Sequence, residues 1–543
     1  MKRKRGFRAF CGTFLALTVF FAGQPVQPRA QAFSDVPSGI WYAAAVEDLV
    51  DRGIMKGKDP DTFAPQGDVT RAEFVTMLAR TALGEGELNE YNYKGPFSDV
   101  WAQGWANKYI NWVSEAGITS GAGGGRFNPD RLVTRQDMAV LIVNYANAMG
   151  LELPAVRPPR SFKDGGSISS YAKSAVDKCS RAGVINGDDN GNFRPGGYAT
   201  RAEAASMYSR FLSAAQSAGY DITRKRMNGT AITAVHFDPY DYDAYVGLGR
   251  DNVHGAEGAP SLFDRVGAKI AVNAAFFNFD NYEPFGTIVD AGRIITTYNR
   301  FSPAKTAIVM DFDGRFSIEN FSLDISAKLR KPDGTETTAT QLGVNRYPSG
   351  SSDGTRLIYT SDWGDRLGFS AKYAAVVSED GTVLDVYHDS DVTIPYHGYV
   401  LAQRGPRQYD NFLPKVEEGD YIELDTYYNG SSTQDIYLAI GVGPKLVQHG
   451  SPYGDSGTYA AEGLSEIGGY GDARRVCIGV RYDGSLVILT AYASLPELSS
   501  IMVAMGCESA VNLDGGGSTN LYVNGRWLYG PTDRALNSVL YFK

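Results

Sequence analysis

Residues 509–525 hold Ser-Ala-Val-Asn-Leu-Asp-Gly-Gly-Gly-Ser-Thr and end on Asn524-Gly525. An apolar strand delivers Asn512 and Asp514. Three glycines follow, and the hydroxyls of Ser518 and Thr519 come next. Consecutive glycines let backbone N–H groups turn toward an anion, and hydroxyls add donors. A carboxylate beside such a nest can orient a substrate hydroxyl, move a proton or bind a metal. A tight strand-to-turn connection with a capping Asp is the competing account, and for Asp-Gly-Gly-Gly alone it is the better one. No Gly-Lys-Ser/Thr follows, so this is not a nucleotide phosphate loop.

The run does not stand alone. Val272-Asn273-Ala274-Ala275-Phe276-Phe277-Asn278 follows an apolar strand. Phe285-Gly286-Thr287-Ile288-Val289 leads to the turn Gly292-Arg293-Ile294, and a glycine-broken strand runs from Ala439 to Val447. Arg474-Arg475-Val476-Cys477 precedes Asp483-Gly484, and Arg534-Ala535-Leu536-Asn537-Ser538-Val539 closes the chain. In that order and spacing, residues 229–543 resemble the phosphodiester glycosidase family. Asn-Leu-Asp-Gly-Gly-Gly-Ser is the most specific motif.

The resemblance implies a hydrolase that frees a sugar linked through its anomeric carbon to a phosphodiester, with no cofactor. Carried across residue by residue, it implies catalytic roles for Asn273, Arg475, Asn512 and Asp514. Gly515, Gly516, Gly517, Ser518 and Thr519 would bind substrate. Arg534 and Asn537 match a further motif of lesser functional weight. Ala274-Ala275 stands where glycines are common in the family, which would narrow the pocket. Arg475 is the candidate to hold the phosphate, by a charge-assisted fork, and a structural salt bridge is the competing account. Asp514 is the candidate acid–base or nucleophilic group, with Asn273 and Asn512 orienting hydroxyls. A phosphate leaves more readily than an alkoxide, so the usual pair of carboxylates is not required.

Short alternating runs must position these residues. Ala307 to Met310 and Arg475 to Thr490 read as strands. Asp313-Gly314, Asp333-Gly334, Asp353-Gly354, Asp483-Gly484 and Asn524-Gly525 read as turns. Leu495 to Met505, with Pro496 near its start, reads as a helix. The expected class is an α+β domain with mixed sheet, its Tyr and Trp residues serving packing. Residues 315–440 carry no readable motif.

The first part of the chain repeats itself. Phe33-Ser34-Asp35-Val36 returns as Phe97-Ser98-Asp99-Val100 and, loosely, as Phe162-Lys163-Asp164. Thr70-Arg71-Ala72-Glu73 returns as Thr134-Arg135-Gln136-Asp137 and Thr200-Arg201-Ala202-Glu203. Between them, each unit has a helical stretch closed by Gly53, Gly117 or Gly183, then a Phe-x-Pro loop. Glycine suits a left-handed helix end. Thr followed three residues later by Glu is a capping box, with Asp137 a weaker version.

This pattern resembles the S-layer homology family. The resemblance implies an α-helical three-module spindle whose grooves bind a secondary cell-wall polysaccharide. It places ligand contacts on Arg71, Arg135 and Arg201, since a guanidinium fork fits a carboxylate. Pairing of these arginines with neighbouring acids is the competing account. The repeats are expected at 33–95, 96–150 and 160–213. A polar, helix-capable linker at 214–228 would lead to the domain at 229–543.

Residues 1–32 read as an export signal: a basic start, an apolar run from Ala9 to Ala22, and Ala30-Gln31-Ala32 as the cleavage site. An uncleaved anchor is the competing reading. No later segment is apolar and long enough to span a bilayer. The chain carries a formal charge of −9, and the first 32 residues are basic, so the remainder is more acidic still. That argues against nucleic-acid binding. Cys179 lies in a different repeat region from Cys477 and Cys507, which are expected to be free buried thiols, with a bridge between those two the competing reading. The five histidines form no metal-binding pattern, and no metal site is expected. The expectation is a secreted, wall-anchored hydrolase of phosphoglycans. The alternatives are a phosphoglycan-binding module and a structural surface-layer protein.

Overall fold

The acid three residues after each repeat threonine decides how its second helix begins. In Arg71–Ala82 and Arg201–Ala214, Thr and Glu satisfy each other's N–H groups and close the capping box. In Arg135–Ala148, Thr134 accepts the Asp137 N–H at 3.2 Å, and the box stays half made because Asp is one methylene shorter. The shorter first helices, Ala43–Asp51, Asn107–Glu115 and Lys173–Arg181, end before Gly53, Gly117 and Gly183. All three glycines are left-handed, at φ +69°, +72° and +81°.

These features come from a computed structural model, which describes residues 33–297, 306–320, 322–350, 354–406, 412–429, 434–453 and 471–543. The expected export signal lies outside the described residues, as does Asp353 of one expected turn. The chain divides into two compact units, one up to Val235 and one from His236.

In the first unit, a closed ring of backbone hydrogen bonds joins the repeats. Val69 N–H donates to Ala199 at 3.0 Å, Ala199 N–H to Val133 at 3.3 Å, and Val133 N–H to Val69 at 2.9 Å. Antiparallel bridges at Asp68–Thr200, Thr70–Leu132 and Thr134–Tyr198 flank the ring. The expected α-helical spindle is therefore corrected. Helix makes up 23% of the described residues and strand 33%, and this region is not a helical module. The helices are separated by Gly- and Pro-bearing loops, and loop backbone and bridges close the centre. Helix was also the wrong expectation for 214–228. Gln216–Ser217 pairs with Leu151–Glu152, and Tyr220–Met227 is a strand whose Tyr220 and Ile222 are buried.

Each Phe-x-Pro loop is pinned in the same way. The Asp35 carboxylate accepts the N–H groups of Phe63 and Ala64 at 2.8 and 2.7 Å. Asp99 and Asp164 repeat this at Phe127–Asn128 and Phe193–Arg194. The middle residue is left-handed every time: Ala64 at φ +58°, Asn128 at +57° and Arg194 at +56°. Alanine pays a steric penalty there that asparagine largely avoids. Ala64→Asn is therefore expected to stabilise the unit by up to about 1 kcal/mol, seen as a higher Tm. A lower Tm would mean that contacts of the Ala64 methyl outweigh the strain.

The second unit is built almost wholly from antiparallel strands, which corrects the expected mixed-sheet α+β class. The one parallel pairing among the described strands joins Gly343–Val344 to Arg356–Tyr359. Its clear helices are Ala259–Arg265 and Leu495–Ala504. Asp-Gly and Asn-Gly turns joined neighbouring strands in a hairpin-rich chain, which leaves little room for crossover helices. The 473–481/486–493 and 521–523/526–529 hairpins turn on left-handed Gly484 and Gly525.

Two sheets carry the candidate site. One runs, in order, through Ser451–Pro452, Lys445–Gln448, Cys507–Asn512, Ala473–Arg481 and Leu486–Ala493. The other runs through Arg526–Tyr529, Leu521–Val523, Ile270–Asn273, Ser538–Phe542 and Ala244–Leu248. Most described strands within 315–440, silent in sequence, form two further sheets. The apolar clusters around Leu401 and Tyr359 both lie on the sheet that contains Arg356–Tyr359 and Tyr399–Gln403, and the first is shared with the other sheet through Ile325 and Ile422. Cys179, Cys477 and Cys507 are free and buried.

Candidate active site

Asp514 leaves the end of the buried strand Cys507–Asn512 and enters the glycine turn, so one backbone fixes both. Asn273, at the end of Ile270–Asn273, clamps this turn from the other sheet. Its Nδ2 donates to the Asp514 carbonyl at 2.5 Å, and its Oδ1 accepts the Asn520 N–H at 2.8 Å. The Asp514 N–H reaches the Ala274 carbonyl at 3.3 Å. Asn273 is thus held by backbone on both sides of its amide. Asn512 donates to the carbonyls of Leu513 and Gly443 at 2.8 and 3.2 Å, and its buried Oδ1 has no hydrogen-bond partner among the described residues.

The glycines have separate reasons to be glycine. A Cβ on Gly515 would lie 2.8 Å from the Arg474 carbonyl oxygen, and one on Gly517 would lie 2.8 Å from the Arg534 guanidinium carbon. Gly516 is left-handed at φ +60°. Gly516–Ser518 forms a short 3-10 turn whose opening N–H groups have no partner within the turn. Ser518 and Thr519 are buried, and Thr519 Oγ1 has no hydrogen-bond partner among the described residues.

The Asp514 carboxyl is 8% exposed. Burial pushes its pKa up to about 7, against the opposing pull of the Ser518 hydroxyl, the Arg534 charge and the Gly515 N–H. It is therefore poised to give or take a proton near neutrality. Arg475 lies 3% exposed on Ala473–Arg481, its Nη2 donating to the Gly471 carbonyl at 3.2 Å. Burial lowers its pKa from the ordinary arginine value. Its strand supports the turn, since Gly515 packs on the backbone of Arg474 and Arg475.

Arg534, part of the motif of lesser functional weight, is a cation at the turn. Its Nη1 donates to Ser518 Oγ at 3.4 Å, and its guanidinium stands 4.8 Å over the Phe279 ring. Phe279 was not singled out in sequence. Its signal was a lone large apolar residue between Asn278 and Asp280, and it is 62% exposed. Asn520 was also missed. It ties the turn to Ser518 and Thr532 through bonds of 3.0 and 2.9 Å. Asn537 lies elsewhere, its Nδ2 held by the carbonyls of Val253 and Gly255. Among the described residues, no three His, Cys, Asp or Glu side chains group to hold a metal.

Removing the Arg534 charge should raise the Asp514 pKa further, because that charge favours the carboxylate. For Arg534→Ala, any activity limb set by Asp514 is expected to move to higher pH, as read from rate–pH profiles. A limb that stays in place would separate Arg534 from Asp514.

The three repeat arginines do not meet. Each reaches the Phe-x-Pro loop of the next repeat. Arg71 Nε donates to the Phe127 carbonyl at 3.1 Å, Arg135 Nε to Phe193 at 2.8 Å, and Arg201 Nε to Phe63 at 2.8 Å. Each guanidinium also lies over the ring whose carbonyl it holds, at 5.0, 5.6 and 4.4 Å. The last link returns to the first repeat.

Comparison with known proteins agrees with both halves of this picture. Residues 371–543 match the family model for phosphodiester glycosidase. Residues 32–75, 96–139 and 161–205 match the S-layer homology domain. The chain is 34% identical over 184 residues to an endoglucanase of Bacillus sp. (strain KSM-635), covering 34% of this chain and 19% of that protein. It is 29% identical over 206 residues to an S-layer protein of Bacillus thuringiensis subsp. finitimus, covering 37% and 24%. The chain thus spans a quarter or less of these relatives. The crystal structure of a hypothetical protein from Synechocystis superposes with a TM-score of 0.51 at 21% identity, covering 60% of this chain and 62% of that one. That likeness shows the fold alone. The repeats and the S-layer relatives mark a secreted protein of the cell wall or S-layer. No described helix is long and apolar enough to cross a membrane.

Proposed function

We propose that the chain is a wall-anchored phosphodiester glycosidase, which hydrolyses the bond between a sugar's anomeric carbon and a phosphodiester in envelope or environmental glycans. The observation that carries this reading is Asp514, a buried carboxyl with a pKa near 7, set at the head of a glycine turn beside Arg534. An anionic diester would lie against the turn's N–H groups and Ser518, with Arg534 at the exposed side and Arg475 behind the turn. Asp514, protonated, would donate to the bridging oxygen as the C–O bond breaks. Its carboxylate would then take a proton from the water that adds to the anomeric carbon. The products are the free sugar and a phosphate monoester. The turn's donors are worth most as negative charge gathers on the departing phosphate.

Asn273 would act as a positioning residue, since its amide is spent on the backbone around Asp514. Asn512 has its Oδ1 to offer. The repeats would bind secondary cell-wall polysaccharide and keep the enzyme near wall glycans. The test is release of free sugar from a panel of defined sugar-1-phosphodiesters by the mature chain. Hydrolysis of plain glycosides but of no phosphodiester would overturn the assignment.

A further inference from the structure

The three arginine clefts look alike in sequence, yet the charged groups around each arginine are paired differently. Arg201 lies in a cleft of about 200 Å³ whose lining includes Lys56, Lys58, Arg80, Glu73 and Trp105. Its Nη2 is held by the Lys56 carbonyl at 2.7 Å. Lys58 takes the Glu73 carboxylate at 2.6 Å. Lys56, Lys58 and Arg201 therefore face the one carboxylate of the lining, Glu73, which Lys58 engages, while Arg80 is held by Glu85 at 2.9 Å. Trp105 stands 62% exposed at the same cleft, an apolar face on which a sugar ring can rest.

The residues at the Lys58 position elsewhere are Ala122 and Asp188. Their N–H groups make the same loop bond, to Arg126 and Asn192, that Lys58 makes to Thr62. With no lysine there, the acid of the third motif turns on the arginine: Arg135 pairs with Glu203 at 3.1 Å, and Arg194 binds the same carboxylate at 2.5 Å. At Arg71 the cleft is bridged. Tyr171, the counterpart of Trp105, donates to Asp137 at 2.7 Å, and Gln136 bonds Ser169 through both ends of its amide. Gln136 stands where the other motifs have alanine.

We propose that the three clefts are not equivalent. The chain holds an oxyanion-bearing wall polysaccharide, carboxylated or phosphorylated, through the Arg201 cleft, while the Arg71 and Arg135 clefts are occupied by the protein's own side chains. This rests on the wall-binding reading of the repeats. Lys58 is the specificity residue: it takes the Glu73 carboxylate in an ion pair, leaving Glu73 only a through-space pull on Arg201, and adds a charge of its own.

The test is sedimentation of the mature full-length chain with purified cell walls. Walls with amidated carboxylates, and walls stripped of phosphodiesters by hydrofluoric acid, identify the source of the oxyanion. Lys58→Glu is expected to weaken binding at least tenfold. Ala122→Glu should leave it within twofold, and Asp188→Lys should tighten it by drawing Glu203 from Arg135. Both Lys58 and Asp188 lie on loops rather than in a core, and near-unchanged thermal melts check that the variants fold. Equal losses from Lys58→Glu and Ala122→Glu, or no loss from Lys58→Glu while the parent chain binds, would overturn the inequivalence alone. A parent chain that binds no walls would overturn the wall-binding reading together with it.

Discussion

Asp514→Asn is expected to abolish hydrolysis and to stabilise the protein at alkaline pH. Loss of a proton-transfer group of this kind costs on the order of 10³-fold in rate. The stability effect follows from the carboxyl's raised pKa. In the unfolded chain it ionises near 3.8, and in the folded chain near 7. Between those values the folded state keeps a proton that the unfolded state has lost. Stability therefore falls as pH rises from about 4 to about 7 and stays reduced above. A shift of this size corresponds to about 4 kcal/mol at pH 8. Asparagine carries no charge to bury and keeps the volume. The Tm gain of the variant over the parent should be small at pH 4 and grow toward pH 8. A variant that is inactive and also less stable at every pH would mean that Asp514 holds the turn together rather than storing strain for chemistry.

The second large effect is expected at Arg201. Its guanidinium holds two carbonyls, Phe63 and Lys56, and lies over the Phe63 ring. Arg201→Ala should destabilise the repeat unit by about 3 kcal/mol, because two charge-assisted bonds, one buried and one part-buried, vanish and two carbonyls lose their donor. Arg201→Lys should recover little, since an ammonium cannot span both acceptors and stack. Because the ring of Val69, Val133 and Ala199 closes through all three repeats, the loss should not stay local. Hydrogen exchange at these three amides is expected to speed up together. Faster exchange confined to residues around Phe63 would show that the repeats open independently.

How much of this was legible from sequence depended on how local the signal was. The capping boxes, the left-handed glycines and the turns at Asp313-Gly314, Asp333-Gly334, Asp483-Gly484 and Asn524-Gly525 depend on a few adjacent residues, and they stand where the pattern puts them. The buried state of Cys477 and Cys507 followed from their apolar neighbours. The class of the second unit was misjudged because sheet pairing is set by partners far apart in the chain. Cys507–Asn512, for example, lies between Lys445–Gln448 and Ala473–Arg481. The repeat unit was misjudged for a related reason, since Val69, Val133 and Ala199 carry no mark in sequence that says they bond in a ring. At the candidate site, Asp514 and its glycines were visible as a run. The clamp made by Asn273 was readable as a motif but not as a bond to the Asp514 carbonyl 241 positions away. The lone apolar signal of Phe279 does not name its partner, because Arg534 arrives from the far end of the chain.

The ring at Val69, Val133 and Ala199 also limits how this architecture can vary. An open stack of repeats tolerates gain or loss of a member, because each new unit docks on an end. A closed ring has no end to dock on. A chain with one repeat deleted would leave one N–H and one carbonyl of the ring without a counterpart, and one Phe-x-Pro loop without its arginine. Two such chains hold four repeats between them, enough for one ring with one repeat left over, so pairing does not restore the lost bonds in both copies. Copy number is therefore held at three by geometry, and a chain shortened by one repeat should melt at a lower temperature than the parent.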